Sequence, residues 1–213
     1  MLSVVCPIYN EEKYIAKCLE SIIEQDYPKD DIELFLVDGM SSDNTRGIIA
    51  KYQEKYPWIK VLDNPRRIAP CAMNVGIKAS SGDVIIRLDA HVLYPTNYFS
   101  VLVNNLNKLP NAENVGAVCN TLPVNDSIEA QSIAAVLSSS FGMGNSYFRV
   151  GASEVMEVDT VPFGCFHKSI FDNVGLYDEE LVRNQDDELN ARIIKSGGKI
   201  YLIPDLVCEY YAR

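Results

Sequence analysis

The chain has no CxxC pair and no cysteine–histidine spacing of the kind that holds structural zinc. Its six cysteines (Cys6, Cys18, Cys71, Cys119, Cys165 and Cys208) are scattered, several inside apolar runs. Reduced, buried thiols in a cytosolic protein are therefore expected. Positive charge is also scarce: 19 Lys and Arg face 29 Asp and Glu, a formal charge of −10. A phosphate-backbone binder needs a basic face, so no nucleic-acid partner is expected. An anionic small molecule stays admissible if a metal ion or a local arginine neutralises it. No run is apolar enough to span a bilayer; residues 130–148 lack charge, but their serines, glycines and Asn145 disqualify them. No signal peptide is expected, because strand-like sequence with an early polar turn begins at once. Arg213 follows closely on the last expected strand, which leaves room for a longer form with peripheral membrane association. No G-x-G-x-x-G follows a strand, which counts against a dinucleotide dehydrogenase. A nucleotidyltransferase wants a glycine-rich basic loop after its first strand, whereas Tyr9-Asn10-Glu11-Glu12 is acidic and has no glycine.

At 213 residues and 47% hydrophobic content, the chain suits one large domain with a substantial core, although two small ones would also fit. Its most informative stretch is Val84-Ile85-Ile86-Arg87-Leu88-Asp89-Ala90-His91. A mostly β-branched run reads as a strand buried on both faces, ending at an acid, a small residue and an imidazole. In an extended segment residues i and i+2 point the same way, so Asp89 and His91 can face one another and hold a divalent cation.

Residues 2–8 read as a first strand. Asn10 is a candidate cap for a helix carrying Ile15, Leu19, Ile22 and Ile23. A second strand over 32–37 closes on Asp38. The turn that follows, Gly39 to Thr45, offers N-caps for a helix reaching Tyr56. A short strand over 59–62, a helix with Pro70 in its first turn, and the 84–88 strand complete a β-α-β-α-β rhythm. That rhythm predicts a parallel sheet with helices on both faces. Right-handed crossovers put residues 7–11, 38–43 and 89–91 along one edge, where ligands bind in open α/β sheets. The second half predicts helices over 97–109, 127–137, 168–174 and 184–196, and strands over 115–119, 155–166 (interrupted by Pro162 and Gly164) and 199–203. Gly142-Met143-Gly144-Asn145 is a hinge candidate, and Tyr210-Tyr211 are expected to pack at the end of the sheet.

Six short motifs occur in order. They are Pro7-Ile8-Tyr9-Asn10-Glu11-Glu12; Val37-Asp38-Gly39 with Ser41-Ser42-Asp43-Asn44-Thr45; Asn74-x-Gly76; Gly82-Asp83; Leu88-Asp89-Ala90-His91; and Gln185-Asp186-Asp187-Glu188 with Arg192. Together they resemble the family 2 glycosyltransferases of the GT-A fold, across almost the whole chain. Arg87 to His91 with Tyr94-Pro95 is further similar to a subgroup assigned to succinoglycan-type exopolysaccharide assembly. Three positions depart from the pattern: Gly39 replaces a second acid in the strand-2 turn, Gln185 replaces a glutamate, and His91 replaces a second aspartate.

The resemblance implies an α/β GT-A domain spanning residues 1–213. Its Rossmann-like, mostly parallel sheet is flanked by helices on both faces, with a nucleotide-sugar half (1–95) and an acceptor-side half (96–213). It implies an inverting, metal-dependent transfer from a nucleotide diphosphate sugar, expected to be a UDP-sugar, to a saccharide or lipid-linked acceptor at a cytoplasmic, inner-membrane face. Pro7, Tyr9, Glu11, Asp38, Arg67, Asn74 and Asp89 would bind the nucleotide sugar, with Glu11 and Asp38 accepting hydrogen bonds from base and ribose. Asp89 and His91 would hold Mn²⁺ or Mg²⁺. Asp186 would be the general base, with Asp187 in reserve. The competing readings are a non-catalytic nucleotide-sugar-binding module, favoured by Gln185, and a nucleotidyltransferase.

Overall fold

The computed structural model describes residues 1–144 and 146–212; Asn145 of the expected hinge and Arg213 lie outside them. Among the described residues nine strands form one sheet: β1 (Leu2–Ile8), β2 (Ile32–Asp38), β3 (Ile59–Asp63), β4 (Val84–Arg87), β5 (Val92–Leu93), β6 (Ala112–Pro123), β7 (Met156–Glu157), β8 (Cys165–His167) and β9 (Lys199–Ala212). The helices are α1 (Ile15–Ile23), α2 (Thr45–Gln53), α3 (Ala69–Ala79), α4 (Tyr98–Lys108), α5 (Ile128–Leu137), α6 (Ser140–Met143), α7 (Tyr147–Val150), α8 (Ile170–Val174) and α9 (Gln185–Lys195).

The sheet order is β3-β2-β1-β4-β8-β6-β9-β5, with β7 on β9. The first four neighbours are parallel, as the repeated β-α unit requires. Beyond β4 the sheet turns mixed: β8 runs antiparallel to β4 and β6, while β6 and β9 are parallel to one another. The stretch over 155–166, expected as strand interrupted by Pro162 and Gly164, is two short strands, β7 and β8, with both residues in the segment between them. Proline has no N–H to give the ladder, so the strand breaks there. All six cysteines are buried free thiols. No helix among the described residues is long and apolar enough to cross a membrane.

Alternation along β1 splits the core. Leu2, Val4, Cys6 and Ile8 pack with α1 and α4, and Val5 packs on the other face with Met73 and Ile77 of α3. Gly76 has a packing reason: a Cβ there would lie 2.3 Å from Val5 Cγ1, so only glycine lets α3 sit this close to β1.

Glu33, buried on β2, accepts from the hydroxyls of Ser3 (2.7 Å) and Ser81 (2.8 Å) and from the Ser81 N–H (2.6 Å), and pairs with Lys60 at 3.1 Å. Burial alone would push its carboxyl up, but these donors together outweigh it and bring it down to about 2 from 4.5. A depressed carboxyl contributes stability above its unfolded value and loses it as pH falls through the folded one. Glu33→Gln is therefore expected to lower unfolding free energy by about 1–3 kcal/mol at neutral pH. In urea titrations the gap between wild type and variant should close as pH drops from 4.5 towards 2.

Candidate active site

The parallel registers bring the strand ends together: Ile8 lies beside Asp38, Asp38 beside Asp63, and Val5 beside Arg87. The loops leaving these ends build the site.

The loop after β1 is clasped to the loop after β2 by side-chain bonds. Asn10 takes a left-handed conformation (φ 54°), its N–H donates to Ser41 Oγ (2.9 Å) and its Oδ1 accepts from the Ser42 N–H (2.8 Å). Glu12 accepts from the Asn44 N–H at 3.0 Å, and Asp43 accepts from the Glu12 N–H at 3.1 Å. The buried Thr45 Oγ accepts from the Glu11 N–H at 2.7 Å. Asn10 and the Ser41–Thr45 run were expected as helix caps. The residues at the two N-cap positions, Tyr14 and Asn44, make no side-chain cap bond; of the expected caps Asp43 bonds the start of α2, its Oδ1 accepting from the Thr45 N–H at 3.0 Å, while the other polar groups serve the clasp. The clasp fixes Glu11. Thr45→Val is expected to cost about 1–2 kcal/mol of stability by orphaning that N–H, and to weaken Mn²⁺ binding several-fold; thermal melts and a cation titration check both.

Glu11, Asp89 and His91 form a cluster whose ligand atoms all lie within 4.8 Å of one another. His91 Nδ1 stands 2.9 Å from Asp89 Oδ1 and 3.5 Å from Glu11 Oε1. The expected route to this meeting was alternation along a strand. In fact β4 ends at Arg87, and the chain turns at Ala90–His91 to bring the imidazole back onto the carboxylate. Tyr94 holds the turn: its hydroxyl accepts from the Asp89 N–H at 2.8 Å and donates to the Asp89 carbonyl at 3.1 Å. Two carboxylates and an imidazole are a donor set suited to Mn²⁺ or Mg²⁺, and His91 and Glu11 are buried. Glu11 thus joins the two metal-ligand candidates read from the sequence.

Pro7, Tyr9, Glu11, Arg67, Asp89 and His91 line one cleft of about 250 Å³. Gly39 lines it too, and its missing side chain matters: a Cβ there would sit 3.2 Å from Tyr9 Cδ2 and 3.4 Å from Arg67 Cα. The position where the family carries an acid is thus filled by Tyr9, with the Arg67 guanidinium 6.0 Å from its ring centroid.

Two expected donor-binding residues, Asp38 and Asn74, are placed outside this lining and bonded to protein groups. Asp38 is fully buried, accepting from the Ser41 N–H (3.0 Å) and Arg46 Nε (2.5 Å), and does not line the cleft. Asn74 donates to the Tyr177 carbonyl and to Glu179, and accepts from the Tyr177 N–H, all at 2.9 Å. It ties α3 to the segment after α8. A polar residue in a motif looks the same in sequence whether it faces ligand or backbone.

A second cleft of about 310 Å³ is lined by Asp89, Asp186, Asp187, Arg87, Arg149 and Tyr210, with Phe148, Phe163 and others around them. Asp89 is therefore common to both clefts. Asp186, a quarter exposed, forms an ion pair with the buried Arg87 at the end of β4 and accepts from Gln185 Nε2 at 3.3 Å. Asp187 Oδ1 accepts from Thr160 at 2.8 Å. Arg192 grips Glu188 and donates to the Val174 and Leu176 carbonyls, so in this motif it anchors α9 to the end of α8. Sequence reasoning missed Arg87, Arg149 and Tyr210. Arg87 closes a buried strand immediately before Asp89, and a charge at that place is the one available signal. Tyr210 does lie near the sheet end, on β9, with its ring 5.2 Å from that of His91.

A parallel half-sheet carrying an acid–imidazole cluster at its carboxyl edge, joined by a mixed half that presents a second acidic site, defines a GT-A architecture. Solved structures agree on the fold. Staphylococcus aureus TarS 1-349 in complex with UDP-GlcNAc matches with TM-score 0.76 and 20% identity over the whole of this chain and 58% of that one. The mannosyltransferase PcManGT from Pyrobaculum calidifontis, in complex with GDP-Man and Mn²⁺, matches with TM-score 0.76 and 22% identity over the whole of this chain and 57% of that one.

The glycosyl transferase family 2 model matches residues 3–172, and the chain belongs to that family. The chain is 37% identical to the dolichyl N-acetyl-alpha-D-glucosaminyl phosphate 3-beta-D-2,3-diacetamido-2,3-dideoxy-beta-D-glucuronosyltransferase of Methanococcus voltae, over all of this chain and 67% of that protein. It is 30% identical to the succinoglycan biosynthesis protein ExoA of Rhizobium meliloti (strain 1021), over 99% of this chain and 63% of that protein. The chain thus spans about two thirds of the length of these curated relatives.

Proposed function

We propose that this chain transfers a sugar from a nucleotide diphosphate sugar, a UDP-sugar, to a hydroxyl of a saccharide or lipid-linked acceptor in glycan assembly, with inversion. The observation that carries the reading is Asp89 standing in the wall of both clefts, with Glu11 and His91 on one side and Asp186 on the other. The division of labour follows the chain: residues 1–95 hold the donor and residues 96–213 supply the acceptor side. Work at a cytoplasmic membrane face fits the dolichyl phosphate-linked acceptor in the name of the Methanococcus voltae relative.

Tyr9 and Arg67 flank the nucleotide, while Glu11, Asp89 and His91 would hold a divalent cation. A bound cation would neutralise the diphosphate as negative charge builds on the leaving group, an effect worth several kcal/mol. Asp186 accepts the acceptor's hydroxyl proton as that oxygen attacks the anomeric carbon. The glycosidic C–O bond breaks on the opposite face, and the electron pair leaves with the nucleotide diphosphate. One displacement inverts the configuration, and Arg87 and Gln185 keep the Asp186 carboxylate turned to the cleft.

The test is time-dependent release of nucleotide diphosphate from a panel of UDP- and GDP-sugars with Mn²⁺, with and without candidate acceptors. Turnover from a UDP-sugar with an inverted product supports the reading. Tight UDP binding without turnover on any acceptor would favour a non-catalytic binding module, the alternative that Gln185 motivates.

A further inference from the structure

Arg149 on α7 is the unusual charge in the second cleft. In a chain with ten more acids than bases, no carboxylate among the described residues lies within ion-pair distance of its guanidinium. The group is not loose. Nη1 donates to the Oγ of the buried Thr121 on β6 at 3.1 Å. Its guanidinium carbon lies 5.4 Å from the ring centroids of both Phe148 and Tyr210. Its Nε is buried and has no hydrogen-bond partner among the described residues. Arg149 is partly buried and lines the cleft, so its guanidinium is held by two rings and one hydroxyl, with no counter-charge among the described residues and its remaining donors open to an anion entering from the cleft. Arg87, the other arginine lining this cleft, also has a buried Nε without a partner among the described residues, but it is ion-paired with Asp186 and Arg149 has no such pair.

We propose that Arg149 is the acceptor-specificity residue: it receives an anionic group of the acceptor, a phosphate ester or a carboxylate, whose sugar ring lies along Tyr210 with its hydroxyl towards Asp186. The inference rests on the acceptor reading of this cleft. A planar guanidinium recognises phosphate or carboxylate oxygens through paired N–H donors, and an aromatic face suits the C–H face of a sugar. Tyr210 is the shared neighbour: its ring centroid lies 6.2 Å from that of Phe163, 5.2 Å from that of His91 and 5.4 Å from the Arg149 guanidinium carbon.

With Mn²⁺ and UDP filling the donor cleft, three probe sets are titrated by calorimetry: octyl glycosyl phosphates of glucose and N-acetylglucosamine, octyl glucuronide, and the matching uncharged octyl glycosides. At least one charged set should bind about tenfold or more tighter than its uncharged counterpart, and the phosphate and uronide arms tell the two anions apart. Arg149→Gln should erase that preference while leaving UDP and the uncharged glycosides within about twofold, and Arg149→Lys should retain part of it. A purely structural arginine would lower the melting temperature without touching the charge preference, which overturns the proposal. So does equal binding of charged and uncharged probes, or loss of UDP affinity in Arg149→Gln, which would give the anion to the donor. Failure of UDP itself to bind would sink the donor reading and this inference with it; intact UDP binding with no charge preference sinks this inference alone.

Discussion

Asparagine in place of Asp186 lowers kcat by about 10²- to 10⁴-fold, the range that a positioned general base contributes, and leaves donor affinity within about threefold. The side chain is placed for that result. It stands in the first turn of α9, faces the cleft that Asp89 shares with the donor site, and is aimed by Arg87 below it and Gln185 beside it. The amide keeps the shape and one acceptor for Arg87 but cannot take a proton. Arg87 is then left buried opposite a neutral partner, so a stability loss of about 1–3 kcal/mol accompanies the change, and rates are to be compared well below the melting transition. Asp187 lines the same cleft and its Oδ1 accepts from Thr160; as the reserve base, its change to asparagine should cost far less. If Asp187→Asn instead produces the larger fall, the two roles are exchanged.

Asp89→Asn carries the second large effect. The residue lines both clefts and contacts His91, and removing its charge strips the cluster to one carboxylate and one imidazole. The expected outcome is a fall of about 10³-fold in kcat/KM, equivalent to the several kcal/mol that charge neutralisation of a leaving group contributes. The loss should be larger with Mn²⁺ present than without it. Initial rates across a cation titration separate this from misfolding: a folded variant that has lost only the site gives a flat response to Mn²⁺. A variant that recovers wild-type rates at high Mn²⁺ would place the essential charge elsewhere.

The first half of the chain was legible from sequence for a physical reason. Its strands are short apolar runs punctuated by turn residues, and right-handed parallel crossovers leave one arrangement of their ends. Pro7, Tyr9, Glu11, Arg67, Asp89 and His91 accordingly meet. The polar residues between them were less legible. Asn10, Ser41 to Thr45, Asp38 and Asn74 are each competent to cap a helix, bind a ligand or bond a neighbouring loop, and which of these happens depends on partners thirty or a hundred residues away. In the second half most helices and strands were read close to where they lie, but their contacts were not. Once β8 enters antiparallel to β4, neighbours in space stop being neighbours in sequence order, and Arg87 meets Asp186, Arg149 meets Tyr210, and Tyr210 meets His91. No local periodicity announces such contacts.

The most direct test is the affinity of UDP measured by calorimetry with and without Mn²⁺, in the wild type and in Asp89→Asn. If Glu11, Asp89 and His91 hold a cation against the diphosphate, Mn²⁺ tightens UDP binding by about tenfold or more. UDP then tightens Mn²⁺ by the same factor, and the coupling vanishes in the variant. Equal UDP affinity with and without Mn²⁺ in the wild type, or coupling that survives in Asp89→Asn, would contradict the account.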